Sequence, residues 1–251
     1  MCGEELTEVG STSVCGACWA SLEPWRGAIC ASCGLPLATS QGGEAASLLC
    51  GECRTGVHTF DGARSYGLYA GALRQIILLL KFQRQERLGH RLGALLASLW
   101  ASFENLDDAW LIPVPLHPSR QQERGFNQAE LLARGLIRGL AGAGKSRPRL
   151  ARKALQRTRA TLPQTGLSIA ARRENVHGVF AARDAGLLRG RTIVLIDDVM
   201  TTGATLAECA ATLKRAGAER VVALTLARAT PQFPDFDAPR EAIDEAAPDS
   251  T

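Results

Sequence analysis

The chain has no long apolar run. Its most apolar stretch, Ile76 to Leu80, ends at once in Lys81, whereas a membrane-crossing helix needs ~20 apolar residues. The amino terminus, MCGEELTEVG, is acidic and has no apolar segment of the secretory kind. No signal peptide is legible, and the expectation is a cytoplasmic protein. Histidine is scarce, and His58, His90, His117 and His177 are scattered. No covalent nucleophile with a partnering base is spelled out. At 251 residues, with 46% apolar and 22% charged, collagen-like, mucin-like and wholly disordered classes are excluded. A chain of this size can bury a true core.

Acidic residues are missing from one stretch. Lys145 to Arg173 holds nine basic residues and no acid. Residues 1–60 carry a net −4 and those from Thr230 onward a net −5, so 61–229 carries +13 although the whole chain is only +4. Such a block suits a polyanion, either nucleic acid or a multiply charged phosphate. A solvated surface is the plain alternative. The concentration of thirteen net charges in the middle argues against it.

Seven of the eight cysteines lie in the first 53 residues. Cys15–Cys18, Cys30–Cys33 and Cys50–Cys53 are each separated by two residues, Cys2 stands alone, and Cys209 falls in a helical pattern. Cys30-x2-Cys33-x16-Cys50-x2-Cys53 has the spacing of a four-cysteine structural zinc site. A disulfide framework would need an oxidising compartment, for which no leader is legible. Cys2, Cys15 and Cys18 would belong to a second zinc. Cys2-Gly3 reads like the second half of a knuckle whose first half would precede Met1, which predicts a start further upstream. The other partition places Cys15, Cys18, Cys30 and Cys33 on one ion and leaves Cys50 and Cys53 over. Either way the metal is structural, because so short a segment has little core of its own. Trp19 and Trp25 are expected to pack on the knuckles.

From Thr59 the composition changes. Residues 60–69 read as a strand or hairpin. Leu73 to Leu80 and Leu88 to Trp100 have helical periodicity. LIPVPL at 111–116 is a short strand closed by prolines. GFNQAELLARGLIRGL at 125–140 is a helix with Asn127 as N-cap and Glu130 placed for a capping box. TIVLI at 192–196 is a buried parallel strand. Leu206, Ala210 and Leu213 line a helix stopped by Gly217, and VVALTLA at 221–227 is the next strand. The alternation predicts an α/β fold with a mainly parallel sheet. Three parts are expected: a cysteine-rich zinc domain at 1–58, the α/β domain at 59–229 and a disordered acidic tail at 230–251.

GLAGAGKS at 139–146 matches the P-loop letters. A phosphate cradle follows a strand and opens a helix. This one follows a helix and runs into Pro148, so it is read as a helix exit.

The strand TIVLI leads into Asp197-Asp198-Val199-Met200-Thr201-Thr202-Gly203-Ala204-Thr205. Two carboxylates at the carboxyl end of a buried strand occupy the ligand position of open α/β sheets. The threonine–glycine turn that follows opens a helix, which makes a phosphate seat. Acids followed by a phosphate loop suit a sugar with vicinal hydroxyls and a terminal phosphate. Helix capping alone would need one such residue.

This stretch resembles the 5-phosphoribosyl-1-pyrophosphate (PRPP) signature of type I phosphoribosyltransferases. VPLHPSRQQERGFNQAELLAR at 114–134 and RTRATLPQTGLSIAARRENVHGVF at 157–180 resemble the ComF family of competence-associated, phosphoribosyltransferase-like proteins. The cysteine-rich front resembles the double zinc ribbon often fused to that family, with only Cys2 standing for the first expected pair. The resemblance covers the chain to about Arg228.

It implies a type I phosphoribosyltransferase-like fold and a set of roles. Asp197 and Asp198 would hold the ribose hydroxyls, directly or through Mg²⁺. Val199, Met200 and the turn Thr201, Thr202, Gly203, Ala204 and Thr205 would complete the PRPP site. Pro115, Arg120, Arg124 and Lys81 would lie on the pyrophosphate side, Lys81 being equally readable as a snorkelling lysine. Arg157 and Arg159 would sit on a mobile closing loop and are the candidates nearest to a catalytic role. The expected cofactors are structural Zn²⁺ and Mg²⁺ with PRPP. The expected partners are PRPP, single-stranded DNA at 145–173, and competence or recombination proteins. Two functions compete: transfer of phosphoribosyl to a nitrogen acceptor, and a non-catalytic DNA-handling adaptor with PRPP as a regulatory ligand.

Overall fold

The structure, a computed structural model, describes residues 14–37, 48–82, 85–145, 147–161 and 169–230. The expected tail and Cys2 lie outside the described residues.

Five parallel strands form one sheet: β1 (Gly62–Leu68), β2 (Trp110–Pro113), β3 (Arg149–Leu150), β6 (Thr192–Met200) and β7 (Arg220–Arg228), in the order β1-β7-β6-β2-β3. The middle strands are apolar on both faces because helices cover both. Val194, Ile196, Val222 and Leu224 join one core, and Ile193, Leu195, Val221 and Ala223 the other. Each such fully buried aliphatic contributes about 1.5–3 kcal/mol. β1 is a parallel strand beside β7, not half of a hairpin.

One face carries α3 (Gly71–Phe82), α4 (Glu86–Leu95) and α6 (Gln128–Gly142). The expected helix at 88–100 is split: α4 passes into a 3-10 helix at Leu96–Ser102, with Leu88, Leu92 and Leu96 fully buried. α6 begins as read from sequence, with the Asn127 side chain accepting from the Ala129 N–H at 2.9 Å. Glu130 does not complete a capping box; it pairs with Arg134 at 2.8 Å and Arg152 at 3.4 Å. Gly139 to Gly142 are the last residues of α6, so the P-loop letters carry no phosphate cradle.

The other face carries α9 (Ala204–Arg215) and the antiparallel pair β4 (Leu155–Arg157) and β5 (Phe180–Ala182). α9 stops as expected near Gly217, which takes φ +101° while the Ala218 N–H reaches back to the Leu213 carbonyl. Short helices α1 (Gly16–Ala20), α2 (Gly51–Arg54), α5 (Pro118–Arg124), α7 (Ile169–Val176) and α8 (Ala185–Leu188) complete the chain.

β2 leaves through α5 and α6 on one face, and β6 leaves through α9 on the other. The carboxyl ends of β2 and β6 are therefore a topological switch point, where such sheets open a crevice.

The front segment lies along the free edge of β1. The Ala63 N–H donates to the Ser32 carbonyl at 2.8 Å, the Trp25 N–H to the Tyr66 carbonyl at 2.7 Å, and the Tyr66 hydroxyl to the Leu22 carbonyl at 2.9 Å. These bonds cover an edge that would otherwise invite another strand. Trp19 packs against the helical core with the Arg91 guanidinium 4.0 Å above its ring.

Candidate functional site

β6 does not end at Ile196. It continues through both acids to Met200. Pairing with β7 on one side and β2 on the other holds Asp197 and Asp198 at the switch point. Asp198 is 4% exposed, and its Oδ1 lies 3.1 Å from Lys81 Nζ in the last turn of α3. Its Oδ2 is buried with no hydrogen-bond partner. Asp197 accepts the Asp198 N–H at 2.9 Å. Burial and then the Asp198 charge push the Asp197 carboxyl up to about 7, against the opposing pull of that N–H, Lys81 and Arg157. A buried carboxylate oxygen with nothing to accept from is costly. A divalent cation or a pair of sugar hydroxyls would satisfy it.

The turn that follows is set by Gly203, at φ +78°. A Cβ here would lie 2.7 Å from Met200 Cε and 3.1 Å from His58 Cε1. The conformation calls for glycine, and the space beside Met200 and His58 is tight as well. Thr202 Oγ1 accepts the Ala204 N–H at 3.4 Å, and the Gly203 carbonyl accepts the Ala207 N–H at 2.8 Å. Thr201, Thr202 and Thr205 are half-buried, and Gly203 and Ala204 buried. The positive end of the α9 dipole opens beside the acids.

The loop after β2 is tied to the acid strand. The Val114 N–H donates to the Ile196 carbonyl at 2.9 Å, and Asn127 Nδ2 to the Val114 carbonyl at 3.0 Å. Pro115 is half-buried in this loop, and His117 then caps α5. Arg120 is exposed on α5, with its charge acting on Arg157. Arg124 donates to Gln128 Oε1 at 3.1 Å, with its guanidinium 5.6 Å from the centre of the Phe82 ring, next to Lys81 in sequence.

Arg157, on β4, donates to Thr161, stacks 5.8 Å from Phe180, and keeps a buried Nε without a partner. Burial and then the Arg120 charge hold its pKa below the ordinary arginine value, while Cys209 and Asp197 act the other way. Arg159 is exposed and bonded to the His177 carbonyl at 3.0 Å. The sequence-predicted residues Asp197, Asp198, Lys81, Arg157 and the Thr201–Thr205 turn thus converge, with Arg120 at the rim. Arg124 is engaged with Gln128 and Arg159 with the His177 carbonyl.

Two neighbours escaped the sequence reading. Cys209 of α9 is fully buried close enough to feel the Asp197 charge. His58 packs on Gly203, stacks on Phe60 at 4.7 Å and has no hydrogen-bond partner for Nε2, which lies 3.9 Å from Glu52. Burial and then the Arg228 charge lower its pKa. The contact between His58 and Gly203 leaves no local trace, because it joins segments far apart in the chain; Cys209 lies one element beyond Asp197, on α9.

In the front segment, Cys30, Cys33, Cys50 and Cys53 bring their sulfurs within 4.8 Å of one another. Cys33 and Cys50 are 3.6 Å apart, close to the ~3.8 Å that a tetrahedron with ~2.3 Å zinc–sulfur bonds requires. Among the described residues these four lie together and fit a structural zinc. Cys15 and Cys18 form their own knuckle turn, the Cys18 N–H meeting Cys15 Sγ at 3.4 Å.

Residues 1–54 match the family model of a double zinc ribbon domain, and residues 124–241 that of a phosphoribosyl transferase domain. The chain is 33% identical to the DNA utilization protein YhgH of Escherichia coli O157:H7, over 88% of this chain and 92% of that protein. The chain belongs to the ComF family. Competence protein F of Haemophilus influenzae is 35% identical over 72% of this chain and 78% of that one. Competence protein ComFC of Bacillus subtilis is 28% identical over 86% and 84%. The double zinc ribbon match precedes the phosphoribosyl transferase match, and β6, the strand that carries the paired acids, lies within the latter. No helix among the described residues is long and apolar enough to cross a membrane.

Proposed function

We propose that this ComF protein binds PRPP at the carboxyl ends of β2 and β6 and transfers its phosphoribosyl group to a nitrogen acceptor. The observation that carries the reading is the buried, partnerless Asp198 Oδ2 beside Asp197, followed directly by the start of α9. The two carboxylates accept from the ribose hydroxyls. The Thr201–Thr205 turn and the first amides of α9 take the 5′-phosphate. Lys81, Arg120 and the Pro115 loop face the pyrophosphate. The ring carbon–pyrophosphate bond breaks as the carbon–nitrogen bond forms, pyrophosphate leaves, and the nitrogen gives up its proton. Mg²⁺, when bound with PRPP, offsets the charge of the leaving group. Arg157 adds positive charge beside Asp197, and Arg159 would join it only by leaving the His177 carbonyl. Positioning and electrostatics are sufficient for this chemistry, so no covalent nucleophile is needed.

PRPP with Mg²⁺ is expected to raise the melting temperature, and the double change Asp197→Asn, Asp198→Asn to abolish the rise. An undiminished rise in that variant overturns the site. Pyrophosphate release measured against a panel of nitrogenous bases then identifies the acceptor.

A DNA-handling adaptor remains a second reading, favoured by a separate observation. Lys145, Arg147, Arg149, Arg152, Lys153 and Arg159 are exposed in a stretch without acids. Several relatives are named for DNA utilization or competence. This reading expects single-stranded DNA to bind with an affinity that falls steeply with salt, as phosphate contacts release counterions. Absence of binding at low salt removes it. Zinc in the ribbon is structural in both readings, and competence or recombination proteins are the expected partners in the second.

A further inference from the structure

Arg228 is the last residue of β7, and its side chain is 4% exposed. Nε and Nη1 have no hydrogen-bond partner, and Nη2 makes one long contact, 3.9 Å from Cys33 Sγ. A guanidinium buried on such terms is expensive unless a counter-charge faces it. The groups whose charges act on it are Cys33, Cys50, Glu52 and Cys53, three of them members of the four-cysteine cluster. Four thiolates on one Zn²⁺ would carry a net charge of about −2, a counter-charge placed beside the guanidinium whose Nε and Nη1 have no hydrogen bond. Arg64 approaches the same knuckle from β1, its Nη1 lying 3.5 Å from the Ser32 carbonyl and 2.8 Å from that of Ala63.

The backbone of Arg228 is tied to the phosphate turn. It pairs with Met200, where β6 enters that turn. The Tyr69 N–H donates to the Arg228 carbonyl, and the Ala229 N–H to the Met200 carbonyl, both at 2.9 Å. Met200 Cε and His58 together wall in Gly203. His58 in turn neighbours Glu52, which lies between two of the cysteines and pairs with Arg173 at 3.3 Å.

We propose that Arg228 is the built-in counter-cation of the zinc–thiolate centre, and that zinc, by holding this guanidinium, positions the phosphate turn at Met200–Gly203. The first half concerns only the metal centre; the second rests on the phosphoribosyl reading given above. Arg228 is a positioning residue, acting through Met200 and touching no substrate.

The test compares the full-length zinc-loaded protein with Arg228→Met and Arg228→Lys. Zinc lost to excess EDTA is followed with a chromogenic zinc reporter. Arg228→Met is expected to release zinc at least tenfold faster, and Arg228→Lys, which keeps the charge, to stay within a few-fold of the parent. Stripping zinc is also expected to lower the melting temperature of the parent more than that of Arg228→Met, because only the parent is left with a stranded buried cation. A merely structural arginine would give equal losses. Equal losses, or unchanged release, overturn the proposal. If Arg228→Met does not fold, hydrogen exchange on the unaltered protein decides. Zinc removal should speed exchange at Ala204 and Ala229 while Val194 to Ile196 stay protected; faster exchange confined to residues 14–53 overturns it. Finally, the PRPP-induced stabilisation should be lost when zinc is stripped. If the zinc-loaded parent shows no PRPP effect, the phosphoribosyl reading fails, while zinc release and the melting comparison still judge Arg228.

Discussion

Single side chains decide the chemistry of the crevice. Lys81 is the counter-charge of Asp198. Sequence left it equally readable as an anion contact or a snorkelling lysine, because nothing local reveals which strand end a helix terminus will meet. Removing one partner of a buried pair is strongly destabilising, by about 3–5 kcal/mol, and the partial exposure of Lys81 places Lys81→Met toward or below the low end of that range. Chemical denaturation should show the loss, and Asp198→Asn in the same background should recover part of it. His58 gives a pH signature. Its folded pKa lies below the ordinary value, through burial and then the positive charges of Arg228 and Arg173, partly opposed by Glu52. Folding thus favours the neutral ring. The stability that this contributes is present above the unfolded pKa of ~6.5 and is lost as pH falls through that value toward the lower folded one. Melting temperature should therefore decline on acidification through this window, and less so in His58→Phe. A parallel decline in both proteins refutes the assignment.

At the scale of elements, apolar segments were legible, the four-residue β2 among them, and elements without an apolar signal were not. TIVLI, the α9 stripe of Leu206, Ala210 and Leu213, and the Asn127 cap all stand where local chemistry puts them. α5 was invisible because it buries no residue and so has no apolar period. β4 and β5 are three residues each, and their pairing joins distant segments. The acids and the glycine turn were readable as a local string, and Lys81, Arg120 and Arg157 were named as candidates, but nothing local shows that α3, α5 and β4 bring these cations together around the acids. The α4–α6 crossing offers a sharp test. A Cβ on Gly135 would collide with the His90 carbonyl oxygen and lie 2.9 Å from Gly93 Cα, whereas one on Gly142, in the same helix, would meet nothing within 4 Å. Gly135→Ala should lose about 1–3 kcal/mol or more through overpacking. Gly142→Ala should be neutral or gain up to ~1 kcal/mol from helix propensity. Equal effects in denaturant titrations would contradict so close a crossing.

Across the whole molecule, the front segment serves the sheet as a lid on its open edge. Ser32 and Trp25 occupy main-chain groups of Ala63 and Tyr66 that would otherwise be free to pair with another chain. Chelation of zinc should therefore promote concentration-dependent self-association, read by light scattering, and added zinc should reverse it. A stripped protein that stays monodisperse at high concentration would count against the edge-covering role. The acidic character of residues 1–60, against the basic body, favours the same docking.

The neighbour of β1 in the sheet is β7, the last strand among the described residues. During synthesis the four cysteines emerge long before the platform that receives them is complete. At ~5–20 residues per second, the interval between Cys53 and Arg220 is roughly ten to thirty seconds. For that time the thiols stand clear of the ribosome with no sheet to shelter them. A ribbon that captures its metal while still nascent would escape oxidation and present a finished surface to β1 when β7 finally arrives. The supply of free zinc during translation, more than the stability of the finished protein, would then govern the yield of active molecules.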